Sequence, residues 1–354
     1  MNSIGSKIRF FICCVCCIVV IFYGIYTVLF FETAAKPTVA QKDTNDILDF
    51  SNFPFLNSFK GEIQENTPIK NEVTSVDIDF QKAVEAASNG KVQGKVIDRF
   101  ISPYTAKDSY GNVYIKNSTP LKLDIKSLLE AKLKFSIKKN STPQVLILHT
   151  HATESFLLSE RNYYTDKDTA RSTDNSLNMV HLGKIVTDTL KKAGISTLHD
   201  TTQHDYPSYS ESYSRAAKTI SNYKSKYKDL KIIIDLHRDA LSSGDTDKVK
   251  LTSEISGKKA AQVMIVMGSQ SGDVKNFPNW QENLKLAVKL QQKLELMYPT
   301  LARSLSLTSK NYNESLSTGS MLIEIGTDAN SIEEVRYSTE LLANALVSLF
   351  NDLQ

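Results

Sequence analysis

Three short apolar runs end in side chains that are costly to leave at the edge of a core: VLILHTHATES at 145–155, IIIDLHRDA at 232–240 and MLIEIGTDA at 321–329. Around them the second half of the chain alternates such runs with amphipathic segments, the pattern of an α/β domain whose strands are buried under helices. Strands are expected at 144–148, 195–198, 230–236, 263–267, 305–308 and 320–325, with helices near 176–193, 210–227, 280–298 and 331–353. Within 176–193, Met179, Leu182, Val186, Leu190 and Ala193 recur three or four residues apart, and Gly194 is the stop. Ile332, Val335, Leu341, Leu342, Ala345, Leu346 and Leu349 repeat the logic in the last helix. These stripes are core. The expected fold is a single α/β catalytic domain at 143–354, with a mostly parallel mixed sheet flanked by helices.

Ahead of that domain, Phe10–Phe31 carries no charge and no proline. As a helix it would span roughly 33 Å, enough to cross the hydrocarbon core. Lys7 and Arg9 precede it and Glu32 follows, which by the positive-inside rule keeps residues 1–9 in the cytoplasm and places everything after 31 outside. The expected location is therefore the cell membrane, single-pass, with an extracytoplasmic catalytic domain. A cleavable signal is the rival, but its apolar stretch is usually shorter, and Glu32-Thr33-Ala34-Ala35 is a weak cleavage site. Residues 32–142 are polar and punctuated by prolines, so they read as a spacer holding a small folded segment, with apolar patches at 53–56 and 121–135.

All four cysteines, Cys13, Cys14, Cys16 and Cys17, lie inside the apolar run, so the exported part has no thiol for a disulfide or a metal. Any metal site must use histidine and carboxylate. The net charge of +3, with basic residues scattered among acidic ones, gives no sign of a nucleic-acid partner.

In open α/β sheets ligands collect beyond the carboxyl ends of the strands, so the three motifs should converge there. His149 and His151 leave the first strand end, expected to point the same way, and Glu154 follows in the turn. His237 ends the second, with Arg238 and Asp239 behind it. Glu324 sits between Ile323 and Ile325 in a stretch otherwise fit for a core, so it must be paired, protonated or near a cation. Each motif alone has a bland structural reading. Jointly they supply what a hydrolytic zinc site needs: imidazoles and a carboxylate as ligands, and Glu324 as a separate proton shuttle.

The chain resembles the stage II sporulation protein P family, within the wider zinc-dependent N-acetylmuramoyl-L-alanine amidases. The resemblance rests on HTHATES at 149–155, HDYPSYSESYSRA at 204–216, DLHRDA at 235–240 and LIEIGTDANS at 322–331, and covers about 144–353. It implies an amidase-like fold and Zn2+. It also implies cleavage of peptidoglycan between N-acetylmuramic acid and L-alanine, with endopeptidase activity on stem-peptide cross-links as a further expectation. The implied setting is septal wall remodelling and engulfment in sporulation, beside a membrane-anchored lytic transglycosylase.

In the wider amidase family two strand-end histidines and a Glu about 15 residues after the first hold the zinc, and a late Glu is catalytic. His151 and His237 match the two histidines, and Glu324 the catalytic glutamate. The middle ligand departs from the pattern, with Glu154, Glu160, Asp174 and His181 the nearest candidates. Glu154 is favoured because the turn after the first strand keeps it beside the metal, and His181 competes with it. Whether His149 or His151 binds stays open, since a small register shift exchanges them. Arg238 is assigned to a substrate carboxylate or to an ion pair with Asp239. His204 and Asp205 are expected near the substrate or behind the ligands. The competing functions are a non-catalytic wall-binding scaffold that recruits another lytic enzyme, and a membrane-surface metallopeptidase acting on proteins.

Overall fold

A computed structural model describes residues 75–354. In chain order the elements are α1 (Ser75–Ser88), β1 (Val92–Arg99), β2 (Asp108–Tyr110), β3 (Val113–Asn117), α2 (Ile125–Glu130), β4 (Val145–Leu148), β5 (Tyr163–Thr165) and α3 (Met179–Lys192). They continue with β6 (Thr197–His199), α4 (Ser212–Lys226), β7 (Ile232–Asp239), β8 (Ser242–Ser243), β9 (Asp247–Ile255), β10 (Lys258–Ala261) and β11 (Val263–Gly268). The last are α5 (Trp280–Met297), β12 (Leu305–Thr308), β13 (Gly319–Thr327) and α6 (Ile332–Asp352).

The main sheet has eight strands in the order β2-β3-β12-β11-β13-β7-β4-β6. Its pairings are parallel except β2 with β3 and β11 with β13, so the sheet is mixed and mostly parallel. Alternation along each strand feeds two separate cores. Val145 and Ile147 of β4, Ile232, Ile234 and Leu236 of β7, and Met321, Ile323 and Ile325 of β13 join α3, α5 and α6 on one face. Leu146, Leu148 and Ile233 pack with Ala216 and Ile220 of α4 on the other.

A second sheet, in the order β10-β9-β1-β5 with β8 beside β9, was not anticipated. Its central strand β1 comes from the segment expected to be a spacer, and it runs parallel to β9 and antiparallel to β5. Strand β3, from the same segment, joins the main sheet beside β12. The compact unit accordingly runs Glu72–Gln354, and the expected boundary between 142 and 143 does not divide it. The reason is visible in β1: VQGKVIDR buries only Val96, so its partners, not its own periodicity, make it a strand. The anchor expected at 10–31 lies outside the described residues, and among those described no helix is long and apolar enough to cross a membrane.

Candidate active site

Strands β4, β7 and β13 are consecutive neighbours, so the ends of the three motifs lie side by side. In the β7–β13 ladder Glu324 is the register partner of His237, and in the β4–β7 ladder Leu148 is the partner of Asp235. Because Ile232, Ile234 and Leu236 take one face of β7, Asp235 and His237 must take the other, the face that carries α4. The same alternation turns Glu324 that way, between Ile323 and Ile325 on the opposite side.

The histidines 149 and 151 do not point the same way, contrary to the sequence reading. His149 continues the face of Val145 and Ile147: its Nε2 lies 3.0 Å from His199 Nε2, and its Nδ1 faces the Leu236 carbonyl oxygen at 3.2 Å. The strand ends at Leu148, and the turn that follows carries His151 round to His237, their rings edge to face at 5.2 Å and 88°. Both nitrogens of His149 thus have partners away from that group. His181 on α3 is also apart, for after burial the charges that act on it are Arg336 and Lys184.

Glu154 is held in the turn by its backbone N–H, which donates to the His151 carbonyl at 3.1 Å. Its Oε2 accepts from the Arg238 backbone N–H at 3.1 Å and stands 3.7 Å from His237 Nδ1. Asp235 was not singled out in the sequence. Its carboxylate accepts from Thr150 N and Oγ1 at 2.8 and 2.6 Å, and Oδ1 lies 3.0 Å from His237 Nε2. A period-two reading back from His237 would have found it. Tyr213 and Tyr209, by contrast, arrive from α4 and the loop before it. Tyr209 stacks on His151 at 4.5 Å and 11°, and Tyr213 meets the same ring edge-on at 5.6 Å.

Arg238 does not serve as expected. Its guanidinium donates to three carbonyl oxygens, those of Ser155 at 2.8 Å, Asp239 at 3.1 Å and Ala170 at 2.6 Å, clamping the loops behind Glu154. The Asp239 carboxylate pairs instead with Arg303, 3.0 Å away. His204 and Asp205 support the site from behind: His204 bridges the His149 carbonyl and Thr219, while Asp205 accepts from Thr153 and from Arg171 at 2.5 Å.

Burial opposes a charge on His237, but Asp235, Glu154 and Glu324 outweigh it and raise the imidazole to about 10. Glu324 is pushed up to about 8, first by burial; Glu154 and Asp239 add to the rise against His237 and Arg303. Burial raises Glu154 as well and, with His237 adding to the fall, lowers His151 to about 4.

As placed, no three His, Cys, Asp or Glu side chains among the described residues stand close enough to hold a metal ion. What bears on a metal is the type of donor and the atoms left without partners. His151 Nδ1, His237 Nε2 and Glu324 Oε2 are all closed off from solvent and make no hydrogen bond; the 3.0 Å contact of His237 Nε2 with Asp235 lacks the alignment of one. A buried polar atom left unpaired costs on the order of 1–3 kcal/mol. Similar atoms occur elsewhere, at Thr187 and Gln291 for example, but here His237 adjoins both His151 and Glu324, so three neighbouring metal-donor residues share the deficit. Imidazole and carboxylate are the donors zinc accepts.

A family profile described as Stage II sporulation protein P matches residues 44–347. Stage II sporulation protein P of Bacillus subtilis (strain 168) is 32% identical over 222 residues, covering 59% of this chain and 50% of that protein. The alignment thus spans half the length of that relative. Solved structures similar to this one include the CwlD amidase from Clostridioides difficile in complex with the GerS lipoprotein, with TM-score 0.36 and 12% identity, covering 59% of this chain and 98% of that one. An N-acetylmuramoyl-L-alanine amidase from Clostridium difficile 630 has TM-score 0.36 and 15% identity, covering 60% and 97%.

Proposed function

The chain belongs to the stage II sporulation protein P family, and on that footing we propose that it hydrolyses peptidoglycan at the amide between N-acetylmuramic acid and L-alanine. One observation carries the proposal: Glu324 stands in register with His237, His151 meets that imidazole edge-on at 5.2 Å, and each of the three has a buried polar atom without a partner.

In this reading His151, His237 and Glu154 would hold a zinc ion, with the Asp235 carboxylate beside the His237 ring. The bound ion would supply a Lewis acid and a water whose pKa falls to about 7. Glu324 takes the proton of the attacking water and returns it to the leaving nitrogen of L-alanine. Burial raises its proton affinity above that of an ordinary carboxyl, which favours taking that proton. His149 and Arg238 drop out of the catalytic group, the first because its ring faces His199 and the second because backbone carbonyls take its guanidinium. The uncharged run at 10–31 would tether the enzyme to the membrane from which it reaches the wall.

The test is incubation of the purified full chain with intact sacculi and mass spectrometry of the soluble products. The reading expects stem peptides with a free N-terminal L-alanine, release that stops with a chelator, and recovery on adding zinc. Products that keep the lactyl–alanine bond, or release indifferent to chelation, would overturn it.

A further inference from the structure

The Tyr-rich loop that leads into α4 is not accounted for by the chemistry above. Tyr206 and Tyr209 are each 59% exposed, although neither is needed to cap a core. The backbone that carries them is pinned at both ends. On one side His204 bonds the His149 carbonyl at 3.0 Å, and Asp205 bonds Thr153 Oγ1 at 2.6 Å. On the other, Arg215 donates to the carbonyls of His204 and Ser208, both at 2.5 Å, and Ser212 Oγ donates to the carbonyl of Tyr209. The rings are thus presented by a fixed scaffold, and little side-chain freedom remains to be lost on binding.

Tyr209 is continuous with the site. It lies flat on His151 at 4.5 Å and 11°, and the Arg171 guanidinium stands over its ring at 4.8 Å. More than half of its surface remains open all the same. Between and beside the two tyrosines the exposed residues are Pro207, Ser208, Ser210 and Glu211, so the aromatic and proline surface is interrupted by two hydroxyls and a carboxylate. A protein-docking patch would be contiguous and apolar. Flat aromatic faces alternating with hydroxyl and carboxylate groups suit instead a ligand with an apolar C–H face and a rim of hydroxyls, which is a pyranose ring.

We propose that Tyr206 and Tyr209 form a stacking platform for sugar rings of the glycan strand, seating the muramic acid over Tyr209 so that its lactyl amide reaches Glu324. Arg171, 40% exposed as a side chain and tethered by Asp205 at 2.5 Å, offers its remaining N–H groups to the carbonyls of that sugar's substituents. The peptide then leaves the site on the side away from the loop. This inference rests on the hydrolase reading and adds to it which part of the substrate the protein grips.

The experiment titrates a peptide-free tetrasaccharide of alternating N-acetylglucosamine and N-acetylmuramic acid into the full-length Glu324→Gln protein by calorimetry, with a free stem peptide as control. Adding Tyr206→Ala is expected to weaken glycan binding about tenfold, the scale of one aromatic stacking contact, while stem-peptide binding and the melting temperature hold. Tyr209→Ala should do the same and Tyr209→Phe should not, which assigns the effect to the ring and not to the hydroxyl, while Tyr206→Ala leaves the ring stacked on His151 in place. In the active protein Tyr206→Ala raises KM for glycan-bearing substrate and leaves kcat. Glycan affinity that survives both alanine variants, absence of glycan binding to the parent protein, or an equal loss of stem-peptide binding would each overturn the platform. Sacculus hydrolysis by the wild-type chain is followed in parallel. If it persists in any of those cases, the hydrolase reading stands and only the platform falls.

Discussion

Glu324 shows how one residue can be read correctly as costly without its neighbours being known. Its position between two core isoleucines announces a carboxylate that needs a reason, and the reason offered by the fold is His237 in register across β7. Glu324→Gln keeps the shape and removes the proposed proton acceptor, so under the proposed function release of peptide from sacculi should fall at least about a hundredfold with the circular dichroism spectrum unchanged. A variant that retained wild-type turnover would remove Glu324 from the mechanism. His199 offers a separate test through pH. Burial lowers its imidazole to about 4 from an ordinary 6.5, so the unfolded chain binds the proton that the folded one refuses. Its stabilising effect is complete above about 6.5 and is lost as the pH falls from there towards 4. The melting temperature should drop between pH 7 and pH 5, and His199→Gln should make that drop shallower.

At the scale of elements, α3 contains a glycine that looks like a defect. Gly183 lies in mid-helix, where replacement by alanine ordinarily stabilises by about 1 kcal/mol. Here a Cβ would fall 2.5 Å from His199 Nε2 and closer still to the ring of His149. The His149 ring is fully buried and has no room to swing aside, while His199 is half-buried. Gly183→Ala is therefore expected to destabilise by about 1–3 kcal/mol, as overpacking does, measurable by urea unfolding. An increase in stability would mean that the histidine pair is looser than the structure shows. The same helix also demonstrates why strand end and helix are one design: the missing side chain is what lets His149 sit beneath α3.

For the whole molecule, the second sheet decides what must be kept. β1 lies between β9 and β5, and β3 covers the edge of β12, so a chain starting at 143 leaves several ladders unpaired. Open edges of that kind invite association. Such a truncation is expected to aggregate or to melt without cooperativity in calorimetry and gel filtration, whereas a chain starting at 72 should unfold in one transition. Cooperative, monomeric behaviour of the shorter chain would show that the second sheet is dispensable.

The sequence was informative wherever burial imposes a period. The strands of β4, β7, β11, β12 and β13 and the four long helices that follow them were legible because each writes its own core face into its spacing. The β9–β10 hairpin turns through Ser256 and Gly257, both at positive φ, 50° and 75°. β1 left almost no signal, since a strand that buries one residue is defined by partners in β5 and β9. The site divides in the same manner. His237 and Glu324 stand on strands whose alternation fixes the face they share. The separation of His149 from His151, the withdrawal of Arg238 into backbone carbonyls and the arrival of Tyr209 depend on where a turn carries the chain. No local period records that, because it follows from contacts between segments distant in sequence, and only the folded chain has them.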